Sequence, residues 1–177
     1  MEEQLRTLAK MQKLDDQIGA LRLLQQQLPK ELNDIIERVD QSAANLLNSQ
    51  AELAETEKKQ RALEGDIKQN QSTIQKYTTQ LTEIKTNKEY KALNSEIAYL
   101  KDKISELESQ QLELMDEENA AKQKVEQDKQ DLEAAEKTKR DREGDLRKKI
   151  ESLDAEIDKL RAERTLLART LPQNLVR

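Results

Sequence analysis

The sequence contains no cysteine, histidine, tryptophan or phenylalanine, and only three tyrosines, three glycines and two prolines. Without cysteine there are no disulfides and no thiolate metal site, and without histidine the commonest acid–base group of enzymes is missing. Large aromatic side chains each bury about 150–250 Å², and a compact globular core normally uses them. We therefore predict that the chain is not an enzyme, has no catalytic residues and holds no cofactor or metal of its own.

Long apolar runs are missing as well. No apolar segment approaches the ~20 residues that a membrane-spanning helix needs. The chain starts Met-Glu-Glu-Gln, which is acidic and lacks the apolar stretch of a signal peptide. The net charge of −5 gives no general attraction to nucleic acid or anionic lipid. We predict a cytoplasmic protein that does not insert into membranes.

What the sequence does contain is leucine, isoleucine and alanine spaced among many charged residues. Charged residues make up 38% of the chain and hydrophobic ones 34%, a balance found in coiled coils and also in disordered chains. Glycine and proline are too rare for typical disorder, and the apolar residues recur with a regular period. The composition therefore favours long helices.

One heptad phase runs through the first half of the chain, as expected for a coiled-coil seam. The a positions are Met11, Ile18, Gln25, Leu32, Val39, Leu46, Leu53, Gln60, Ile67, Ile74 and Leu81. The d positions are Leu14, Leu21, Leu28, Ile35, Ser42, Ser49, Thr56, Leu63, Asn70, Tyr77 and Ile84. Polar residues also occupy the seams, at Gln25, Gln60 and Asn70 and, in the second half, at Gln111; they either fix helix register at a cost in stability or are simply tolerated in a long rod.

A second seam runs through the other half. Its first series is Ile97, Ile104, Gln111, Glu118, Val125, Leu132, Lys139 and Leu146, and its second is Leu93, Leu100, Leu107, Leu114 and Ala121. The pairing then changes to Ile150, Leu153, Ile157, Leu160, Arg164, Leu167 and Leu171. This change equals a four-residue insertion in the heptad pattern, a stutter, which locally unwinds a coiled coil.

The two seams meet near Thr86. Thr86 followed by Glu89 matches a capping box, which marks the start of a helix. The site divides the chain into arms 1–85 and 87–171 of nearly equal length. We therefore predict an all-α fold, a long antiparallel two-helix coiled-coil hairpin spanning 1–177 with its turn near Thr86. Pairing the arms about this turn places Pro29 near Gly144, close to the stutter, and we predict a kink there because proline disrupts a helix interior.

Three surfaces are candidates for binding. The first is the tip, comprising Thr86, Asn87, Lys88, Glu89 and Tyr90; it is either a partner-binding segment or simply a capping turn in which Tyr90 packs inward. The second is a basic stretch, for which nucleic-acid contact is the alternative function, although acidic residues are interleaved with its cations. Its cations are Lys137, Lys139, Arg140, Arg142, Arg147, Lys148 and Lys149. The third is a set of apolar residues off the seam, Leu23, Leu24 and Ile36, which we expect to be exposed and which would support self-association.

The segment Thr86-Asn87-Lys88-Glu89-Tyr90-Lys91-Ala92-Leu93, followed by Glu96-Ile97, resembles a signature of the bacterial C4-type zinc-ribbon proteins that carry an N-terminal helical hairpin. Leu14-Asp15, Leu28-Pro29 and the ending Leu171-Pro172-Gln173-Asn174-Leu175 fit the same family. The resemblance covers the whole chain, and its central motif is its most specific part.

This resemblance implies a non-enzymatic protein-interaction scaffold, adaptor or chaperone. Family members are linked to flagellar and type III secretion assembly; some bind the nitrogen-type alternative sigma factor, and one branch is linked to flagellin messenger RNA. The family's zinc ribbon, with two cysteine pairs, would follow the hairpin, and the alternative function of RNA binding would act through the basic stretch or through that missing ribbon. Because this chain has no cysteine, zinc is expected only if a longer protein carries the ribbon, and no residue here is assigned to it.

Overall fold

The computed structural model describes residues 1–176, which form two long helices packed against each other as a hairpin. Helix α1 spans Glu2–Leu81 and helix α2 spans Asn87–Ala168. A short 3-10 helix follows at Gln173–Leu175. No strand occurs in the described part of the chain. The predicted all-α coiled-coil hairpin is confirmed, and its turn lies between Leu81 and Asn87.

The predicted seam of the first half of the chain is confirmed from Met11 to Ile84. Every a and d position from Met11 to Ile84 is buried or half-buried, and the phase does not change. The serine and threonine members follow the rule as well: Ser49 is 1% exposed and donates its hydroxyl to the Leu46 carbonyl at 3.0 Å. The inward positions recur on average every 3.5 residues and therefore lie on one face of the helix. Packing this face against the other helix removes apolar surface from water, which favours this orientation of the helix.

Helix α2 follows its predicted seam and contains the predicted stutter. Its inward positions alternate in steps of three and four residues up to Ala135. Two successive steps of four then carry the seam through Lys139 to Glu143, after which Leu146 resumes the alternation. These two steps are the stutter, which changes the heptad phase of the inward face. Beyond it Leu153 and Ile157 are buried, with 0% and 4% of their surface exposed.

The chain divides into two compact units. The first joins Met1–Ser42 to the chain from Leu132 onward. Its core is a leucine- and isoleucine-rich cluster with the ordinary composition of a coiled-coil seam. The cluster consists of Leu28, Leu32, Ile35, Leu146 and Leu153, with Leu21, Leu24, Ile36 and Ile150 packed against it. The expectation that Leu24 and Ile36 lie exposed is therefore wrong, because the core is wide enough to cover positions beside the seam; Leu23 is exposed.

Pro29 lies within this first unit, and α1 continues through it without a break. Its neighbours Leu28 and Leu32 share a cluster with Leu146, so Pro29 lies at the height of the stutter region as predicted. An ion pair between Arg142 and Glu31 joins the helices at the same height. The kink itself stays a prediction.

The second unit, Ala43–Asp131, has a more polar seam. Gln60 is buried and donates its side-chain N–H to Glu118 across the helix pair at 3.0 Å. Asp128 is half-buried, and one of its carboxylate oxygens has no hydrogen-bond partner among the described residues. Polar groups on a seam lower stability but favour one register, because other registers leave the same groups unpaired.

Within the described residues, neither helix has an apolar stretch of the length and hydropathy that crossing a membrane would require.

Candidate functional site at the hairpin tip

A threonine hydroxyl defines the start of α2 at the tip. The backbone N–H of Glu89 donates to Thr86 Oγ1 at 3.3 Å, and the N–H of Tyr90 donates to the Thr86 carbonyl at 3.1 Å. Thr86 is therefore the N-cap of α2, as the capping signal predicts. On the other side, the N–H groups of Thr82 and Glu83 bond back to carbonyls in the last turn of α1. Both helix ends at the tip are thus anchored by hydrogen bonds.

The five predicted tip residues lie together in this first turn of α2, and all of them are exposed. Tyr90 is 50% exposed, so the expectation that its ring packs into the core is wrong. The heptad places Tyr90 seven residues before Ile97, on the inward face. Helix α1 ends at Leu81, and the ring of Tyr90, at the start of α2, is only half covered. The ring instead forms an exposed apolar feature at the end of the seam.

The tip carries positive charge around this ring. Lys85, Lys88 and Lys91 are all exposed, and among the described residues none of the three forms an ion pair. The N-terminus of α2 adds the partial positive charge of a helix dipole. Glu83 and Glu89 partly offset this charge. A turn fixed by hydrogen bonds, with one tyrosine and three free lysines, is suited to contact with another macromolecule.

Fewer cations of the basic stretch are free to bind phosphate than its composition indicates. Arg142 is paired with Glu31, and Arg147 is paired with Glu143 at 2.8 Å. Lys139 lies half-buried on the seam. Phosphate binding needs free cations on one face, and these pairings reduce that number. The geometry therefore does not favour this stretch as a nucleic-acid surface.

Glu143 shows the effect of these pairings on a carboxylate. The hydrogen bond from the Arg147 guanidinium lowers the pKa of Glu143; burial opposes this, and the charges of Lys139 and Arg147 lower the pKa further. The lowered pKa extends toward acid the pH range in which Glu143 is ionised and pairs with Arg147.

No cluster of metal-ligating side chains occurs within residues 1–176. The carboxylates are spread along two helices, and hydrogen bonds and ion pairs account for several of them.

Comparison with known proteins agrees with this architecture. Residues 11–177 match the family described as the CT398-like coiled coil hairpin domain, and the chain belongs to that family. No curated protein matches in sequence.

Two solved structures share the fold. The structure of CT398 from Chlamydia trachomatis is 22% identical with a TM-score of 0.74, and the match covers 99% of this chain and 75% of that one. The HP0958 protein from Helicobacter pylori is 18% identical with a TM-score of 0.67, and the match covers 98% of this chain and 73% of that one. At these identities the likeness establishes the hairpin fold.

Proposed function

We propose that this chain is a non-enzymatic protein-interaction scaffold that captures a protein partner at the Thr86–Tyr90 tip. The exposed ring of Tyr90, held on a capped turn beside unpaired lysines, carries the proposal. Half of this large side chain is exposed to water. A partner that covers it removes apolar surface from water, and this makes the free energy of binding more favourable. The capped turn is already ordered, so less conformational entropy is lost on binding.

The family resemblance supports a narrower form of the proposal. In that form the chain is a cytoplasmic adaptor or chaperone, and its partner is an alternative sigma factor or a component of flagellar or type III secretion assembly. The support is the Thr86–Leu93 signature, and the fold shared with CT398 and HP0958 is consistent with it. The same resemblance implies a zinc ribbon in longer members, which would act separately from the hairpin.

The test measures binding of the purified chain to the nitrogen-type alternative sigma factor by biolayer interferometry. The tip variant combines Asn87→Ala, Glu89→Ala and Tyr90→Ala. The control variant combines Asn119→Ala, Glu126→Ala and Tyr99→Ala, which removes the same side chains from exposed positions elsewhere on α2. We expect the tip variant to lose binding at least about 100-fold and the control to stay within about twofold, since a few central residues dominate most interfaces.

Circular dichroism of both variants checks that the helices are retained. Binding by the tip variant at the strength of the unmodified chain would exclude the tip as the capture surface. Absence of binding by the unmodified chain would exclude the sigma factor as its partner.

A further inference from the structure

A groove runs along one side of the second unit, between the two helices. Two adjacent depressions share Lys59 and Glu117 and so form one continuous groove. Its wall on α1 extends from Glu52 to Leu63, and its wall on α2 from Gln110 to Lys124. At 1.5 Å per residue the groove is about 20 Å long, the length of a helix of roughly 14 residues.

The floor of the groove is mostly apolar and largely made of small side chains. Its apolar residues are Ala62, Leu63, Leu114, Ala120 and Ala121, and the half-buried Thr56 is its polar member. Leu63, Leu114 and Ala121 are half-buried seam residues, so the seam continues to the groove surface. Alanines at these positions let another backbone approach closely, as between packed helices. The shape is that of a two-helix pair with room for a third helix.

The rim of the groove is acidic. The rim contains four glutamates and two lysines. They are Glu52, Glu55, Glu113 and Glu117, with Lys59 and Lys124. Lys124 is paired with Glu52 at 3.4 Å, whereas within the described residues the other three glutamates form no ion pair. Most of the α2 wall, from Gln110 to Ala121, lies in a segment, 104–121, with six acidic residues and no basic one, and Lys124 lies beyond that segment.

From this apolar floor and acidic rim we infer that the groove docks a basic amphipathic helix of a partner protein. The partner's apolar residues at i, i+3, i+4 and i+7 would cover the alanine and leucine floor. Its flanking lysines or arginines would face Glu55, Glu113 and Glu117, and this charge match selects a basic helix over an acidic one. The groove is distinct from the tip in position and in sign of charge, so this inference does not depend on the proposed function.

The test uses a defined probe and the whole chain. The probe is a fluorescein-labelled amphipathic peptide of about 16 residues, with leucine and alanine on one face and lysines on its flanks. A matched peptide carries glutamate in place of each lysine. Binding is followed by fluorescence anisotropy at low and at physiological salt.

Three variants locate the site. Glu113→Lys with Glu117→Lys reverses the rim, and Glu108→Lys with Glu126→Lys makes the same charge change at exposed α2 positions outside the groove. Ala120→Tyr fills the floor without changing charge. We expect the rim reversal and the filled floor each to weaken binding of the lysine peptide by about tenfold or more, and the control pair to change it less than about threefold.

Saturable binding of the lysine peptide alone, lost in the rim and floor variants, would support the inference. Equal loss in the control pair would show general charge attraction and overturn it, as would equal binding of the glutamate peptide or no binding at all. Sedimentation of the unmodified chain as a dimer that Ala120→Tyr dissociates would assign the groove to a second copy, which also overturns it.

Discussion

At the scale of single residues, the hydroxyl of Thr86 determines how α2 begins. It accepts the Glu89 N–H, one of the four donors that every helix leaves unpaired at its N-terminus. We predict that Thr86→Ala lowers the free energy of unfolding by about 1 kcal/mol and speeds exchange of the Glu89 amide, while Thr86→Ser keeps both near their original values.

Hydrogen exchange by NMR and urea unfolding measure these two effects. Thr78→Ala serves as the control, because the Thr78 hydroxyl bonds the Ile74 carbonyl inside α1 and caps nothing. An effect of Thr78→Ala equal to that of Thr86→Ala would contradict the capping role. Capping matters for the proposed function because it holds Tyr90 in a fixed position.

At the scale of a secondary-structure element, Pro29 is the main irregularity of α1. It lacks the N–H that would donate to the Gln25 carbonyl, and in a regular helix its ring clashes with that carbonyl. We predict that Pro29→Ala raises the free energy of unfolding by about 2 kcal/mol, since the gain within the helix exceeds the loss of proline's restraint on the unfolded chain.

Gly19→Ala is the matched control in the same helix. A Cβ at Gly19 meets no atom of the described residues within 4 Å other than its chain neighbours and nearby backbone of its own helix, so the expected gain is the ordinary helix preference of about 1 kcal/mol. Urea unfolding followed by circular dichroism compares the two. If Pro29→Ala destabilises the protein, the packing of Leu28 and Leu32 depends on the geometry that proline imposes.

At the scale of the whole molecule, stability is unevenly distributed between the two units. The first contains Leu153, the most completely buried large side chain, within a cluster of leucine and isoleucine. The second places Ser49, Gln60 and Glu118 on its seam. We predict that Leu153→Ala costs about 2–5 kcal/mol, whereas Leu112→Ala, at a side chain 65% exposed, changes stability by less than about 0.5 kcal/mol.

Both substitutions exchange leucine for alanine in α2, so helix preference nearly cancels between them. Urea unfolding of the two variants gives the difference. Similar costs for the two would show that the Leu153 cluster does not carry the stability of the first unit. Native-state hydrogen exchange should also show slower exchange around Leu153 than around Gln60, because polar seams open more readily.

Much of the fold follows from residue spacing. The heptad in α1, the stutter in α2 and the cap at Thr86 all appear in the structure where the sequence places them. This works because a helix converts sequence period directly into direction around its axis, and the apolar direction is the one that becomes buried. Tyr90 shows the limit of the argument: the heptad predicted that its ring packs inward, and the structure leaves the ring 50% exposed.

The candidate binding surfaces could be predicted from the sequence less completely than the fold. The tip residues were identified from their pattern and lie together on the surface, and their role remains a prediction. The groove was not identified at all, because its walls come from segments about 50 residues apart and alanines give no signal by themselves. The ion pair between Arg142 and Glu31 was not predicted either, because helix register decides which charged side chains of the two helices come close enough to pair.

The sequence by itself determined the class of structure, the inward face of each helix and the position of the turn, because these depend on local period and capping. Only the tertiary structure decided which inward side chains are covered, which cations are already paired and where a groove stays open. Those properties depend on which residues of the two helices lie opposite each other, and helix register is set by the sum of many weak contacts along the seam.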